Sequence, residues 1–368
     1  MSCMNGLVLS VSLLVLPLTA VQEMPPADSV QGNPAAADQY LPPPPSDMGG
    51  RREVRPDSPE IVQLKAKFTV EYLLKPEQRR QIFESYLDSL GTQGMLDVLE
   101  ARNTFCHNEA HELGRAVFSR FKDFGRAMQE CGSRCTSACL HGVLKEAFGT
   151  STFDQVRSQL ASICTTGTMA DVTKSGNCAH GMGHALMMVT SNEVEKAIDG
   201  CAGFGRSALE YYCATGVYME LFDQAAQWSG KSALYPCDTY TRFPAACYRY
   251  QGVRMLGQLG GDREKLAELC RSLPEGQRRG CFHGFGFANL LEVSRQPELI
   301  ATVCPSQPVE EQTMCLEGLV ESFGNFQPDK AASSCSHLAG PAAEICRAAA
   351  REGTYRLDKP SMPLYLAR

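Results

Sequence analysis

Two interleaved series of cysteines constrain this chain more tightly than any other feature. One falls at Cys131, Cys164, Cys201, Cys237, Cys270, Cys304 and Cys335, with steps of 33, 37, 36, 33, 34 and 31 residues. The other falls at Cys139, Cys178, Cys213, Cys247, Cys281, Cys315 and Cys346, with steps of 39, 35, 34, 34, 34 and 31. Two series that hold one phase over seven units mark a structural repeat of about 34 residues. Within a unit the two cysteines stand 8 to 14 residues apart, a loop whose closure stabilises by roughly 3 kcal/mol in the chain-entropy picture. One bridge per unit leaves Cys106 and Cys135 to pair by elimination. Bridges between consecutive units satisfy the same count, so spacing leaves connectivity open.

The flanks of the cysteines make each unit a helical hairpin. Apolar residues approach the first-series cysteine at i, i+3, i+4 spacing, as in Leu160, Ile163, Cys164 and in Leu266, Leu269, Cys270 and Ile300, Val303, Cys304; this is one face of a helix. Thr190 with Glu193, Asp262, and Pro297 read as helix starts, and Pro305 as a stop. The second-series cysteine opens another helix with the pattern C-x-x-G, ending at Gly142, Gly181, Gly216, Gly284 and Gly318. Glycine inside a helix costs about 1 kcal/mol relative to alanine, so its recurrence at one register predicts close approach between helices. Cys247 departs from the pattern and Pro236 precedes Cys237, which predicts a distorted fourth hairpin. Cys106 to Gly114 reads as a further second helix, with Gln78 to Leu99 as its partner. The expected fold is all-α, an α/α helical-hairpin repeat solenoid stapled by disulfides.

At this level the chain resembles the tetratricopeptide and Sel1-like helical-repeat families, including cysteine-stapled members of the latter, over about Cys106 to Cys346. The likeness rests on period and hairpin layout, because the tetratricopeptide pattern W-x-x-L-G-x-x-Y is absent. It implies a stacked solenoid with a concave face suited to a protein, peptide or glycan partner. It implies no chemistry.

Composition narrows the setting. Lys and Arg total 35 against 41 Asp and Glu, with no dense basic run, which argues against a nucleic-acid partner. Seventeen cysteines point to an oxidising compartment. The uncharged apolar run Leu7 to Ala20, ending in small residues, resembles a signal peptide over residues 1–20 and is too short for a stable membrane span. Residues 21–60, with Pro42 to Pro45 in a row, read as an extended, disordered linker. The repeat domain then occupies residues 61–355, and residues 356–368, containing Pro360 and Pro363, read as a loose tail. The expected location is secreted or periplasmic.

Six of the seven histidines fall in second helices. His107 with His111, and His180 with His184, are i, i+4 pairs that share a helix face at about 5–6 Å between Cβ atoms. His141, His180 and His283 all stand two residues after a second-series cysteine. Stacking of consecutive units therefore gathers His107, His111, His141, His180 and His184 into a candidate site for Zn or Cu, with the thiolates removed from competition by disulfide formation. Glu109, Glu112 and Glu146 adjoin it as ligands, as partners of ligands, or as the base of a metal-dependent enzyme. His283 belongs three units further on, roughly 25–30 Å away unless the superhelix closes tightly. Glu220 and Glu321 read as solvated helix positions. The alternative is a metal-free scaffold, in which the histidines bond neighbouring carbonyls and the concave face binds a partner. The chain lacks C-x-x-C-H, H-E-x-x-H, G-x-S-x-G and a Walker loop, which leaves no case for covalent haem or a nucleotide and assigns no catalytic residue.

Overall fold

The computed structural model describes residues 57–366 apart from 103–105, 133, 167, 168, 170, 223–227, 229, 307 and 327. The expected leader and nearly all of the expected linker lie outside the described residues. Helix α1 (Pro59–Leu74) starts within the last residues assigned to the linker, because Pro59 occupies its first turn and the Ser58 side chain accepts from the Ile61 amide. It packs on α2 (Arg79–Arg102) through Phe68, Tyr72, Phe83 and Tyr86, whose rings lie 5.1–6.0 Å apart. Helix α3 (His107–Phe121) stands against α2 as its second helix.

The repeating hairpins follow. They are α4 (Phe124–Cys131) with α5 (Ala138–Phe148), α6 (Phe153–Thr165) with α7 (Val172–Val189), and α8 (Val194–Cys201) with α9 (Ser207–Phe222). In the fourth unit turns at residues 233–239 replace the first helix before α10 (Pro244–Gln258), the distortion expected there. Then come α11 (Arg263–Arg271) with α12 (Glu275–Ala288), the short α13 (Leu290–Arg295) and α14 (Ile300–Val303) with α15 (Val309–Phe326), and α16 (Pro328–Ser336) with α17 (Gly340–Glu352). A short α18 (Met362–Leu366) ends the described chain. Among the described residues there is no strand, and no helix is long and apolar enough to cross a membrane.

Every unit carries its own disulfide: Cys131–Cys139, Cys164–Cys178, Cys201–Cys213, Cys237–Cys247, Cys270–Cys281, Cys304–Cys315 and Cys335–Cys346, with Cα atoms 5.3–5.6 Å apart. Cys106 pairs with Cys135, the outcome expected from one bridge per unit rather than bridges between units. The second helices stack in chain order from α3 to α17. A Cβ added at Gly114 would stand 1.8 Å from the Cys139 carbonyl oxygen, and one at Gly142 would stand 2.0 Å from that of His111. Gly183 and Gly216 repeat the exchange between α7 and α9, so the recurring glycine is a contact between helix backbones.

Two expectations are corrected. Thr190 ends α7 instead of starting α8, because its hydroxyl donates back to the Leu186 carbonyl at 2.8 Å. Ser191 and Asn192, both at positive φ, then turn the chain to Glu193, the residue that precedes α8. The C-terminal segment is not loose. After Gly353 (φ 62°) it runs back along the row of second helices, and Tyr355, Leu357, Met362 and Tyr365 are buried. That apolar content is what a solvated tail would lack.

Candidate metal centre

Two residues along an α-helix is a rotation of about 200°, so the side chain two places after each second-series cysteine points away from the disulfide and the first helix. In six successive units this side chain is polar and buried: His141, His180, Thr215, Arg249, His283 and Glu317. Helix α3 adds His107 and His111 one turn apart, and the Gly114–Gly142 contact draws them onto α5.

The five candidate histidines are all buried. Ring centroids lie 4.5 Å apart for His107–His111, 5.2 Å for His111–His184 and His141–His184, 5.6 Å for His107–His141, and 4.9 Å for His141–His180. His107, His111, His141 and His184 each offer a ligand nitrogen, and these four atoms lie within 4.8 Å of one another. His180 stands beside this group, with its Nε2 3.2 Å from His184 Nε2.

Neighbouring side chains fix which ring nitrogens carry protons. The Thr215 hydroxyl donates to the Tyr212 carbonyl at 2.5 Å, so its oxygen accepts from His180 Nδ1 at 2.8 Å. His184 Nδ1 donates to Glu220 Oε2 at 2.7 Å. Asn177 Nδ2 donates to Ser137 Oγ at 2.6 Å, which turns Asn177 Oδ1 to accept from His141 Nε2 at 3.2 Å. His141 Nδ1 is thereby left as a bare acceptor, and His180 Nε2 and His184 Nε2 face each other at 3.2 Å as two lone pairs that a shared proton or a cation must bridge. His141 Nδ1 and His111 Nε2 are buried with no hydrogen-bond partner. Buried inward lone pairs need a donor or a cation.

Protonation does not supply the donor. Burial, reinforced by the neighbouring imidazoles, holds His107, His111, His141 and His180 well below the ordinary imidazole value. Burial lowers His184 too, against the pull of Glu220. Burial opposes ionisation of Glu220, but His184 and Lys145, the latter at 2.8 Å, hold its carboxyl down to about 2.

Of the expected carboxylates, Glu112 and Glu146 are engaged elsewhere, whereas one oxygen of Glu109, Oε2, is buried without a hydrogen-bond partner. Glu109 pairs with Arg79 at 3.7 Å, Glu112 with Arg115 at 3.1 Å, and Glu146 with Arg80 at 2.6 Å and Arg115 at 3.2 Å. Glu220 and Glu321, expected to be solvated, are not: Glu220 anchors His184, and Glu321 is fully buried beside Arg249, His283 and Lys359. His283 faces Glu321 at 3.2 Å and has no place in the four-histidine group. Asn177 and Thr215 were not foreseen. For Thr215 the signal was its register, shared with His141 and His180. A second grouping, Glu100 with Cys106 and Cys135, is closed to metal because its sulfurs form a disulfide.

Comparison of the chain with protein-family models, with curated proteins and with solved structures finds no match in any of the three. The fold and the site therefore define the chain only as a disulfide-stapled all-α protein with a buried four-histidine group that could hold a metal ion.

Proposed function

We propose that this is an exported metal-binding protein whose ion, Zn or Cu, is held by His107, His111, His141 and His184, with His180 as the adjacent imidazole. The observation that carries the reading is the set of inward lone pairs fixed by Thr215, Glu220 and Asn177 within a buried group of imidazoles. The donor set is all nitrogen and uncharged, which suits Zn or Cu and disfavours Ca or Mg, ions that favour oxygen. A tetrahedral ion with ligands at about 2.0–2.1 Å separates them by roughly 3.3 Å, which falls within the 4.8 Å that bounds the four nitrogens. Glu220 supplies the negative charge just outside the ligands, in the arrangement of carboxylate, histidine and metal that orients a ring and raises its basicity. The eight disulfides and the leader-like sequence support export to an oxidising compartment.

The test is the metal content of untagged protein. About one Zn or Cu per chain is expected after reconstitution, with loss in a His141→Ala, His184→Ala double variant and retention in His283→Ala. Negligible metal in the unmutated protein after exposure to both ions overturns the proposal.

A further inference from the structure

Helices α3, α5 and α7 each carry two positions, one turn apart, on the side of the candidate centre. In α3 they hold His107 and His111, and in α7 His180 and His184; in α5 the first holds His141 and the second Lys145. Lys145 is partly buried. Its ammonium donates to Glu220 Oε1 at 2.8 Å, while Glu220 Oε2 accepts from His184 Nδ1 at 2.7 Å. Burial is the chief cause that lowers His107, His111, His141 and His184, and the positive charge of Lys145 acts in the same direction on all four. That charge is therefore felt at every proposed ligand.

The charges around the imidazoles cancel in pairs: Glu220 with Lys145, Glu109 with Arg79, Glu112 with Arg115, and Glu146 with Arg80. The imidazoles themselves are neutral, and an ion among them keeps its whole charge in a buried setting. The cost of burying an ion grows with the square of its charge, so a doubly charged ion meets about four times the cost of a singly charged one of similar size, and Lys145 repels it twice as strongly. With an imidazole at the second position of α5, as in α3 and α7, Glu220 would stand uncancelled and would offset half the charge of a divalent ion. The lysine removes that offset. Of the two metals the all-nitrogen donor set suits, zinc is only doubly charged, whereas copper also has a singly charged state.

We propose that Lys145 selects the ion by charge, and that the four-histidine centre is a site for Cu(I) in preference to Zn or Cu(II). This rests on the metal-binding reading above and narrows it to one ion. Lys145 is then a specificity-determining residue that touches no ligand: it acts through Glu220 and through its field.

The probes are Cu(I), kept reduced by ascorbate, and Zn, each titrated into the full disulfide-bonded chain in competition with a chromophoric chelator of that ion. The unmutated protein holds Cu(I) more tightly than Zn. Lys145→Gln removes the charge and keeps a donor for Glu220. Coulomb energy is proportional to the charge of the ion, so the gain in affinity for Zn is the square of the gain for Cu(I), about a hundredfold against about tenfold. Lys145→Arg keeps the charge and moves both affinities by less than about threefold. If the Gln variant does not fold, Lys145→Leu gives the same test. Tighter binding of Zn than of Cu(I) by the unmutated protein, equal gains for the two ions in the neutral variant, or the same gains in Lys145→Arg overturns the selection by charge and leaves the metal centre standing. Binding of neither ion by the unmutated protein overturns the metal reading and this inference with it.

Discussion

Glu220→Gln keeps the shape of the side chain that orients His184 and removes its charge. The wild-type carboxylate accepts from His184 at 2.7 Å on one oxygen and from Lys145 at 2.8 Å on the other. Glutamine has only one acceptor for these two donors. If its oxygen faces His184, its amide group opposes the Lys145 ammonium. If its oxygen faces Lys145, its amide group forces His184 to accept at Nδ1 and to carry its proton on Nε2, inside the cluster. Loss of such a partner costs about 10–100-fold in metal affinity, or about 1.4–2.7 kcal/mol. The metal-free protein weakens as well: a carboxyl held down to about 2 against an ordinary value near 4.3 stabilises the fold by at most about 3 kcal/mol at neutral pH. Because the folded value is the depressed one, that contribution is complete above the unfolded value and is lost as pH falls toward 2. Competition against a chromophoric chelator measures the affinity, and urea unfolding of the metal-free form measures the stability. Affinity within about twofold of wild type, in an assay where His184→Ala abolishes binding, would refute the orienting role. Unchanged stability would refute the charge argument.

Other consequences follow from the packing and from the second buried network. Gly142→Ala places a Cβ 2.0 Å from the His111 carbonyl oxygen and should cost about 1–3 kcal/mol by prising α3 from α5. Gly257→Ala, in α10 with nothing within 4 Å, should instead gain about 0.5–1 kcal/mol; thermal melts of the two variants moving in the same direction would sink this account of the glycines. Burial, the chief cause, pushes His283 down to about 4, so it folds neutral while the unfolded chain protonates it near pH 6.5. Its stabilising contribution is complete above pH 6.5 and is lost as pH falls toward 4, amounting to about 2 kcal/mol lost at pH 5. Urea unfolding of metal-free protein at pH 7 and pH 5 should therefore show a shallower pH dependence in His283→Asn than in wild type, and equal dependence would contradict the assignment.

The hairpins were legible because cysteine and glycine recur at positions where covalent closure and backbone contact leave no substitute. Cys270 and Cys281, eleven residues apart in sequence, and Gly142 against His111 are local or nearest-neighbour facts, and a periodic sequence displays such facts directly. The imidazole group was legible for the same reason, since it needs only the stacking of α3, α5 and α7. What the sequence concealed was long-range. Lys359 meets Glu321 across 38 positions, and Tyr212 meets Arg356 across 144; neither contact has a periodic signature. The two prolines of the last segment suggested looseness, yet Tyr355, Leu357, Met362, Leu364 and Tyr365 gave it more apolar bulk than solvent tolerates. Glu321 illustrates the same limit, because its burial depends on Arg249 from two second helices earlier and on the returning segment.

One register position also explains why the two ends of the solenoid differ. The side chain two residues after the second-series cysteine is turned away from the first helix, and in the six units from α5 to α15 the stack and the returning segment bury it. A polar side chain there must be satisfied from within. Around α10, α12 and α15 the position holds Arg249, His283 and Glu317, and Glu321 follows one turn after Glu317; acids and bases meet, and Lys359 completes the balance. Around α5 and α7 it holds His141 and His180, with His184 one turn further on and His107 and His111 facing them from α3. Neutral imidazoles cannot neutralise one another as Arg249 and Glu321 do. Their outer nitrogens are satisfied by Asn177, Thr215 and Glu220, and each of these bonds turns a lone pair inward. The same geometric position thus has two physical outcomes: the half with opposite charges closes on itself, and the half with only imidazoles is the one for which an external cation is proposed.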